Sequence, residues 1–297
     1  MDEPPALLLS IDFEDWHQLV HRRLGRADWD RPHPEFPPQM RAVLDLLDEL
    51  GATATFFLLG MTVANYPELA REIVGRGHEA ASHGFAHVRV HEQTREEFRT
   101  DVRRSIEAIE QATARRPVAY RAPAFSITRR TPWAYDVLAE LGFRCDSSQY
   151  DSPRIAERIR GIPDAPYRLR LPSSRELWEF PVAMWGRVPI GGGSYWRVLP
   201  VPFIRRGLGG DRVLYFHPYE FAPEPLRASL PPSATPRQRA IAAGRSAWRN
   251  TGRGLVAKRL RQVARDYRLV SYDQAYDDIA RRYGTRTRAL SQEGVLV

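Results

Sequence analysis

Three carboxylates, Asp12, Glu14 and Asp15, stand within four positions of one another, directly after the run Leu7-Leu8-Leu9-Ser10-Ile11. Acids crowded in this way repel one another and are relieved by a cation or a shared proton. Two imidazoles follow at His83 and His87, within Ser82-His83-Gly84-Phe85-Ala86-His87. A spacing of four puts both on one face of a helical turn, and imidazole with carboxylate suits zinc or a similar divalent ion. Two histidines and one carboxylate leave coordination positions open, as in a catalytic rather than a structural site. An ion held there would lower the pKa of a water and polarise a carbonyl oxygen. Arg121 and His217 each close an apolar stretch, Val118-Ala119-Tyr120 and Val213-Leu214-Tyr215-Phe216, and can join the same site.

Groups at the C-terminal ends of buried strands are how α/β folds deliver chemistry, and a continuous aliphatic run reads as such a strand. The first is followed by a Pro-containing segment, residues 21–38, long enough to overhang a site. Apolar spacing predicts a helix over Met40 to Leu50 with Gly51 behind it, then a strand over Ala54 to Leu59. Pro67 opens a helix ending at Gly77, and His78 to His83 reads as a third strand. Thr94 and Glu97 form a capping box for a helix to Thr113 with Phe98, Val102, Ile106 and Ile109 as its stripe. Strands over Val118 to Pro123 and Phe143 to Ser148 flank a helix over Thr131 to Leu141. This alternation predicts βα units around a parallel sheet or barrel. Beyond Tyr150 short strands are expected at 177–181 and 187–190, with Gly191-Gly192-Gly193 marking a turn or a close backbone approach. A strand over 213–217, a surface excursion over 222–251, a basic helix over 255–267 and a strand over 267–271 follow. The tail from Arg281 is expected to be poorly ordered.

At 297 residues, 43% of them hydrophobic, the chain can bury a full core. No run approaches the roughly 18 apolar residues of a membrane span. Met1-Asp2-Glu3-Pro4-Pro5 has neither the basic nor the apolar region of a secretory signal, so a cytoplasmic location is expected. The single cysteine, Cys145, excludes an intramolecular disulfide and a cysteine zinc cluster, and reads as a small core residue. The net charge is +8, yet Lys258 is the only lysine and the arginines are scattered. Without a basic block interleaved with aromatics, no nucleic-acid partner is expected. An acidic polymer fits the charge equally well.

The ordered set Asp12-Phe13-Glu14-Asp15, His83-Gly84-Phe85-Ala86-His87, Arg121-Ala122-Pro123, Asp146-Ser147-Ser148 and Leu214-Tyr215-Phe216-His217 resembles the five motifs of the NodB-homology polysaccharide deacetylases, carbohydrate esterase family 4. The later Trp178-Glu179-Phe180-Pro181, the Gly191–Gly193 segment and His217-Pro218-Tyr219-Glu220 are similar to the C-terminal extension of one subgroup. That subgroup accompanies exopolysaccharide loci in exosortase-bearing bacteria. The resemblance implies a distorted (β/α) barrel with its site at the C-terminal strand ends. The deacetylase barrel would span residues 1–220, and 221–297 would be an extension within the same structural domain. It implies de-N-acetylation of an N-acetylated exopolysaccharide or its lipid-linked precursor, with zinc, or cobalt, nickel or manganese, as the metal.

Carried over position by position, His83, His87 and Asp15 would be the metal ligands. The base would be Asp12 or Glu14: the family's base lies just before its metal-binding Asp, and relatives with Asp-x-Asp favour Asp12. Strand alternation separates Glu14 from Asp15 unless the strand end twists. Arg121 would orient the base, and His217, held by Asp146, would protonate the leaving amine. Pro123, Phe125, Trp185 and Trp196 would wall an acetyl group or sugar ring. Two other readings are a hydrolase of a small cyclic amide, allantoinase-like, and a polysaccharide-binding protein with a degenerate site. The intact set of five ionisable groups argues against the second.

Overall fold

The first strand, β1 (Ala6–Phe13), is buried from Leu7 onward, with neighbours on both edges and packed layers on both faces. The computed structural model describes residues 3–26, 28–151, 157–228 and 230–297. After β1 come α1 (Trp16–Arg23), α2 (Phe36–Glu49), β2 (Thr55–Leu58), α3 (Gly60–Asn65), α4 (Pro67–Gly75) and β3 (Glu79–Ser82). Then follow α5 (Arg95–Thr113), β4 (Ala119–Tyr120), α6 (Trp133–Glu140), β5 (Cys145–Asp146), β6 (Tyr167–Arg170) and β7 (Glu176–Glu179). The rest is α7 (Gly193–Trp196), α8 (Val201–Gly207), β8 (Val213–Phe216), α9 (Pro236–Asn250), α10 (Leu255–Val263), β9 (Arg268–Val270), α11 (Tyr272–Tyr283) and β10 (Thr287–Ala289).

The strands form one sheet in the order β10-β6-β7-β5-β4-β3-β2-β1-β8, with β9 also paired to β1. Every pairing between these strands is parallel except β6 with β7. The chain beyond β7 comes round to β8 through the single bridges Val182–Val213 and Gly192–Tyr215. This is the α/β fold on a mostly parallel sheet that was expected, with isolated bridges rather than a strand ladder linking the chain beyond β7 to β8. Gly191 is required there, since a Cβ would lie 2.5 Å from the Val213 carbonyl oxygen.

Alternation along β1 sorts its side chains. Leu7, Leu9, Ile11 and Phe13 face outward into a core shared with Val43, Leu47, Ile73, Leu260 and Val263 of α2, α4 and α10. Leu8 faces inward with Phe57, Ala81, Cys145, Phe180 and the α11 residues Tyr272, Ala275 and Ile279. Cys145 is thus the core residue its sequence context suggested. The capping box at Thr94 and Glu97 is present.

Several sequence expectations are corrected. The segment 21–38 is not one loop: α1 occupies its start, and Pro37 and Pro38 open α2 rather than preclude it, because the first helical turn needs no N–H there. The stretch 187–190 makes only a single bridge, Trp185–Val188, among the described residues. The excursion 222–251 contains α9, started by a capping box at Thr235 and Gln238. The tail beyond Arg281 is ordered, since β10 pairs with β6 through Thr287, Arg288 and Ala289. Among the described residues no helix is long and apolar enough to cross a membrane.

Candidate active site

All the parallel strands that carry motifs end on one rim. Asp12 and Glu14 come from the end of β1, and His83 and His87 follow β3. Arg121 follows β4, Ser147 follows β5 and His217 follows β8. Around this rim lies a cavity of about 490 Å³ lined by Asp12, Glu14, Trp16, His83, His87 and His217 among others.

Glu14, His83 and His87 form a compact group whose ligand atoms lie within 4.8 Å of one another. Glu14 Oε2 is 2.9 Å from His87 Nε2 and 3.5 Å from His83 Nε2. It is buried with no hydrogen-bond partner among the described residues. His83 Nδ1 lies 2.8 Å from the Arg121 carbonyl oxygen, which can only accept, so Nδ1 donates and Nε2 keeps its lone pair for an ion. An orphaned carboxylate oxygen beside two imidazole nitrogens fits a divalent cation of the zinc class. Burial opposes a charge on Glu14, yet His87, His217 and His83 hold its carboxyl well below the usual range.

The histidine pair is not on a helical turn as its spacing suggested. It sits on a loop where Gly84 and His87 have φ of +73° and +53°. Asp101 of α5 fixes that loop by accepting from Phe85 N–H at 2.8 Å and Ala86 N–H at 3.0 Å. Asp15 does not join the histidines. The inward period of β1 runs Leu8, Ser10, Asp12 and continues to Glu14, whose N–H turns back to the Asp12 carbonyl at 2.9 Å. Asp15 falls on the other side, caps α1 by accepting from His17 N–H at 2.9 Å, and also takes the His33 N–H at 3.3 Å. A carboxylate spent on a helix N-terminus is not free to reach across the strand.

Asp12 is held by Arg121, whose Nη1 donates to its Oδ1 at 2.7 Å. The guanidinium is fully buried and donates from all three nitrogens. It donates to the Ser147 carbonyl, Ser147 Oγ and the Tyr272 hydroxyl at 3.0, 2.8 and 3.0 Å, and lies 4.1 Å over the Phe57 ring. Bonds on its other edges leave Arg121 one orientation, and so fix Asp12.

His217 Nε2 lies 3.1 Å from Glu14 Oε1 and 4.0 Å from Asp12 Oδ2. Its Nδ1 faces Glu220 Oε2 at 3.4 Å, and the same oxygen accepts the His217 N–H at 3.0 Å. Burial disfavours a charged imidazole, but Glu14 and Glu220 push His217 up to about 10. Glu220, not Asp146, is therefore the carboxylate behind His217. Gly193 makes room for it, since a Cβ would lie 2.1 Å from Glu220 Oε2.

Asp146 instead accepts from Ser148 N–H and Oγ–H, both at 2.8 Å, and Ser148 Oγ accepts the Ala122 N–H, so it positions the segment carrying Arg121. Burial raises Asp146 to about 6 and raises the neighbouring Glu179 well above the usual range, with Asp146 adding to the latter. The native pair keeps protons that an unfolded chain releases near pH 4. Its contribution to stability is whole below that pH and lost as pH rises through about 6 and above. Glu179→Gln removes one acid from the pair, so the difference in Tm, variant minus wild type, should become more positive from pH 5 to pH 8. Thermal melts across that range measure it.

Phe125 lines the cavity and packs edge-on against Tyr215 at 4.9 Å, as a wall should. Pro123 is buried and is not among the lining residues. Trp196 is fully buried in the outer core, donating Nε1–H to the Ile190 carbonyl at 2.6 Å, and Trp185 packs on Phe203 at 4.1 Å. Neither tryptophan lines the cavity. Sequence reading missed Ser147, Tyr272 and Asp101 as supports. Glu220 was missed too, although it had a local signal, three residues after His217 in a turn, and Ser147 had one inside the Asp146-Ser147-Ser148 motif.

Residues 30–145 match the family described as polysaccharide deacetylase, and residues 150–277 match a domain of unknown function, DUF3473. The chain is 38% identical over 111 residues to a chitooligosaccharide deacetylase of Bradyrhizobium sp., covering 37% of this chain and 47% of that protein. It is 36% identical over 73 residues to a peptidoglycan-N-acetylglucosamine deacetylase of Bacillus cereus, covering 25% and 33%. Each match thus spans less than half of the relative's length. Among solved structures, a Mycobacterium smegmatis protein provisionally named a polysaccharide deacetylase superposes with a TM-score of 0.63 at 24% identity, covering 95% and 93%. The Bacillus subtilis peptidoglycan deacetylase PdaC gives 0.52 at 16%, covering 95% of each chain. At these identities the likeness is one of fold.

Proposed function

We propose that this chain, which carries a polysaccharide deacetylase domain joined to a DUF3473 domain, hydrolyses the acetamido group of an N-acetylated glycan to acetate and a free amine. The observation that carries the reading is the convergence on one cavity of Glu14, His83 and His87 with the Arg121-held Asp12 and the Glu220-backed His217. A non-catalytic glycan-binding surface has no use for a buried, arginine-oriented carboxylate facing a carboxylate-backed imidazole.

A divalent ion, zinc or a similar metal, held by Glu14, His83 and His87 would polarise the acetamide carbonyl and lower the pKa of a water. Asp12, fixed by Arg121, takes the proton as the water oxygen bonds to the carbonyl carbon. His217 gives its proton to the amide nitrogen, the C–N bond breaks, and acetate and the amine leave. Glu220 keeps the His217 ring aimed while its charge changes. Phe125 and Tyr215 provide apolar surface for the acetyl methyl group. Asp12 rather than Glu14 is the base in this reading, because Glu14 is occupied with the histidines.

For the glycan, we favour an exopolysaccharide or its lipid-linked precursor, the substrate type suggested by the C-terminal extension. In support, Arg22, Arg23, Arg89, Arg245 and Arg249 rim the cavity, which suits a substrate bearing uronate or phosphate. Residues 221–297 belong in this reading to the same structural domain, since β9 and β10 join the one sheet.

The test is acetate release by the purified chain from neutral N-acetylhexosamine oligomers and from a uronate-bearing N-acetylated glycan. It is run with chelator and with zinc or cobalt restored. Release that stops with chelator, returns with metal and falls about 10²–10⁴-fold in Asp12→Asn and in His217→Ala is expected. Metal bound stoichiometrically with no acetate from either glycan overturns the reading.

A further inference from the structure

The helix α9 is built inside out. Of its 15 residues only Ala242 is buried, and the polar side chains are the ones that turn toward the protein. Gln238 donates to the Leu24 carbonyl at 3.2 Å, and Ser246 Oγ accepts the Ala228 N–H at 3.3 Å. Asn250 pairs with both backbone groups of Leu226 at 2.9 Å. Arg249 donates to the Tyr219 hydroxyl, and with Arg245 it lines the cavity. Beyond Arg237 the outward face is apolar. Ala240, Ile241, Ala243, Gly244, Ala247 and Trp248 are all exposed, Ile241 by 39% and Trp248 by 54%. Their spacing of three, four and seven keeps them on one side of the helix. A surface helix ordinarily has the reverse arrangement, and an apolar face turned outward marks an interaction surface.

We propose that α9 is a membrane-surface anchor, lying in the headgroup region of a bilayer that contains anionic phospholipid, with Ile241 and Trp248 inserted. Charge selects this occupant. Residues 225–265 hold nine arginines, one lysine and no acid, in a chain whose net charge is +8. Among the described residues only one of these cations has a carboxylate partner, Arg261 with Glu49 at 2.6 Å. A second copy on the same face would set this charge against itself, whereas a surface of phosphates offsets it. Two neighbouring segments widen the apolar patch. Arg197 donates to the Trp248 carbonyl at 2.6 Å and lies 5.1 Å over its ring, which sets the exposed Val198 nearby. Gly252 packs on the Arg197 carbonyl, where a Cβ would lie 2.1 Å away, and the exposed Leu255 follows three residues later. Val198, Ile241, Trp248 and Leu255 are four of the six large apolar side chains left exposed among the described residues. Tryptophan, with an apolar body and a polar N–H, suits the boundary between lipid and water. The opposite side of α9 carries Arg245 and Arg249 into the cavity, so docking holds the cavity mouth one helix diameter, about 10 Å, from the lipid. A glycan still attached to a lipid carrier is then within reach, a consequence that rests on the proposed hydrolysis; the docking itself does not.

The test uses the purified full-length chain and vesicles. Sedimentation with vesicles of phosphatidylcholine mixed with phosphatidylglycerol is compared with sedimentation with phosphatidylcholine alone, at low and at high salt. Wild type is expected to sediment with the anionic vesicles, weakly with the neutral ones, and less as salt rises. Ile241→Ser with Trp248→Ser should lower partitioning about 10-fold or more through lost apolar burial. Arg237→Gln should lower it about 5-fold through lost charge. All three positions are exposed, so the variants keep the fold, which circular dichroism checks. A blue shift of tryptophan emission on anionic vesicles, absent from the double variant, is expected as well. Wild type that stays in the supernatant with anionic vesicles overturns the proposal. Equal sedimentation of wild type and the double variant also overturns it, since the apolar face then contributes nothing. So does a concentration-dependent dimer, seen by analytical ultracentrifugation, that the double variant abolishes, because a second copy is then the occupant. Acetate release plays no part in the readout, so the docking surface and the proposed hydrolysis fail separately.

Discussion

Glu14→Gln should lose the divalent ion at the His83–His87 pair and with it acetate release by about 10³-fold or more, whereas Asp15→Asn should keep both. A neutral amide in place of the Glu14 carboxylate offers no anion to the two imidazoles. A metal's stabilisation of developing charge amounts to several kcal/mol, which is about a thousandfold in rate or more. In Asp15→Asn the side-chain carbonyl can still accept the His17 N–H at the start of α1, so the helix cap survives. Elemental analysis of both variants beside an acetate assay reads the two effects independently. The contrast is sharp because the residues are neighbours with the same chemistry. Only the side of β1 on which each falls distinguishes them. Metal retained in Glu14→Gln and lost at the His83 site in Asp15→Asn would reverse the assignment.

Arg121→Ala should be among the most destabilising single substitutions in the chain, by about 3–5 kcal/mol, because it leaves the buried Asp12 without its guanidinium partner. In a protein of this size that is a fall in Tm of roughly 5–8 °C. The hydrogen bonds to Ser147 and Tyr272 are lost in the same step, so the inner ends of β5 and α11 lose a common partner. Replacing both members of the pair, Asp12→Asn with Arg121→Met, should recover a large part of the loss while leaving activity abolished. Urea titrations of the single and double variants give the coupling directly. Equal destabilisation in single and double variants would mean that packing over Phe57, not the charge pair, is what Arg121 supplies.

The first half of the fold was readable because its signals are local. An aliphatic run fixes β1, a Thr94–Glu97 box fixes the start of α5, and glycines at 51 and 77 close α2 and α4. Asp12, Arg121, His83, His87 and His217 were readable because each stands at the end of such an element. What escaped was set by long-range geometry. Asp15 and Glu14 differ only in which way a strand end turns, and that turn is made by one hydrogen bond back to Asp12. Asp146 and Glu220 are both plausible partners for His217 in a chain read linearly, but burial of Glu179 against Asp146 and the gap left by Gly193 beside Glu220 decide between them. Tyr272 reaches Arg121 across 151 residues of sequence. The tryptophans misled because large aromatics fill cores as readily as they line sugar sites. The helix α11 and the strand β10 were missed because an Arg- and Asp-rich surface masks a narrow apolar stripe of Tyr272, Ala275 and Ile279.

The pairing of β1 sets the timing of assembly on the ribosome. Its upper half needs β8 and its lower half needs β9, strands that begin at Val213 and Arg268. At elongation rates of about 5–20 residues per second, the first strand waits roughly 10–50 s for these partners. Throughout that wait a nascent chain displays a bare aliphatic edge, with Asp12 and Glu14 at its tip. Prematurely terminated chains that stop short of β8 would therefore be sticky rather than partly active. The full-length protein, dominated at its centre by contacts distant in sequence, should refold slowly and gain yield from a holding chaperone.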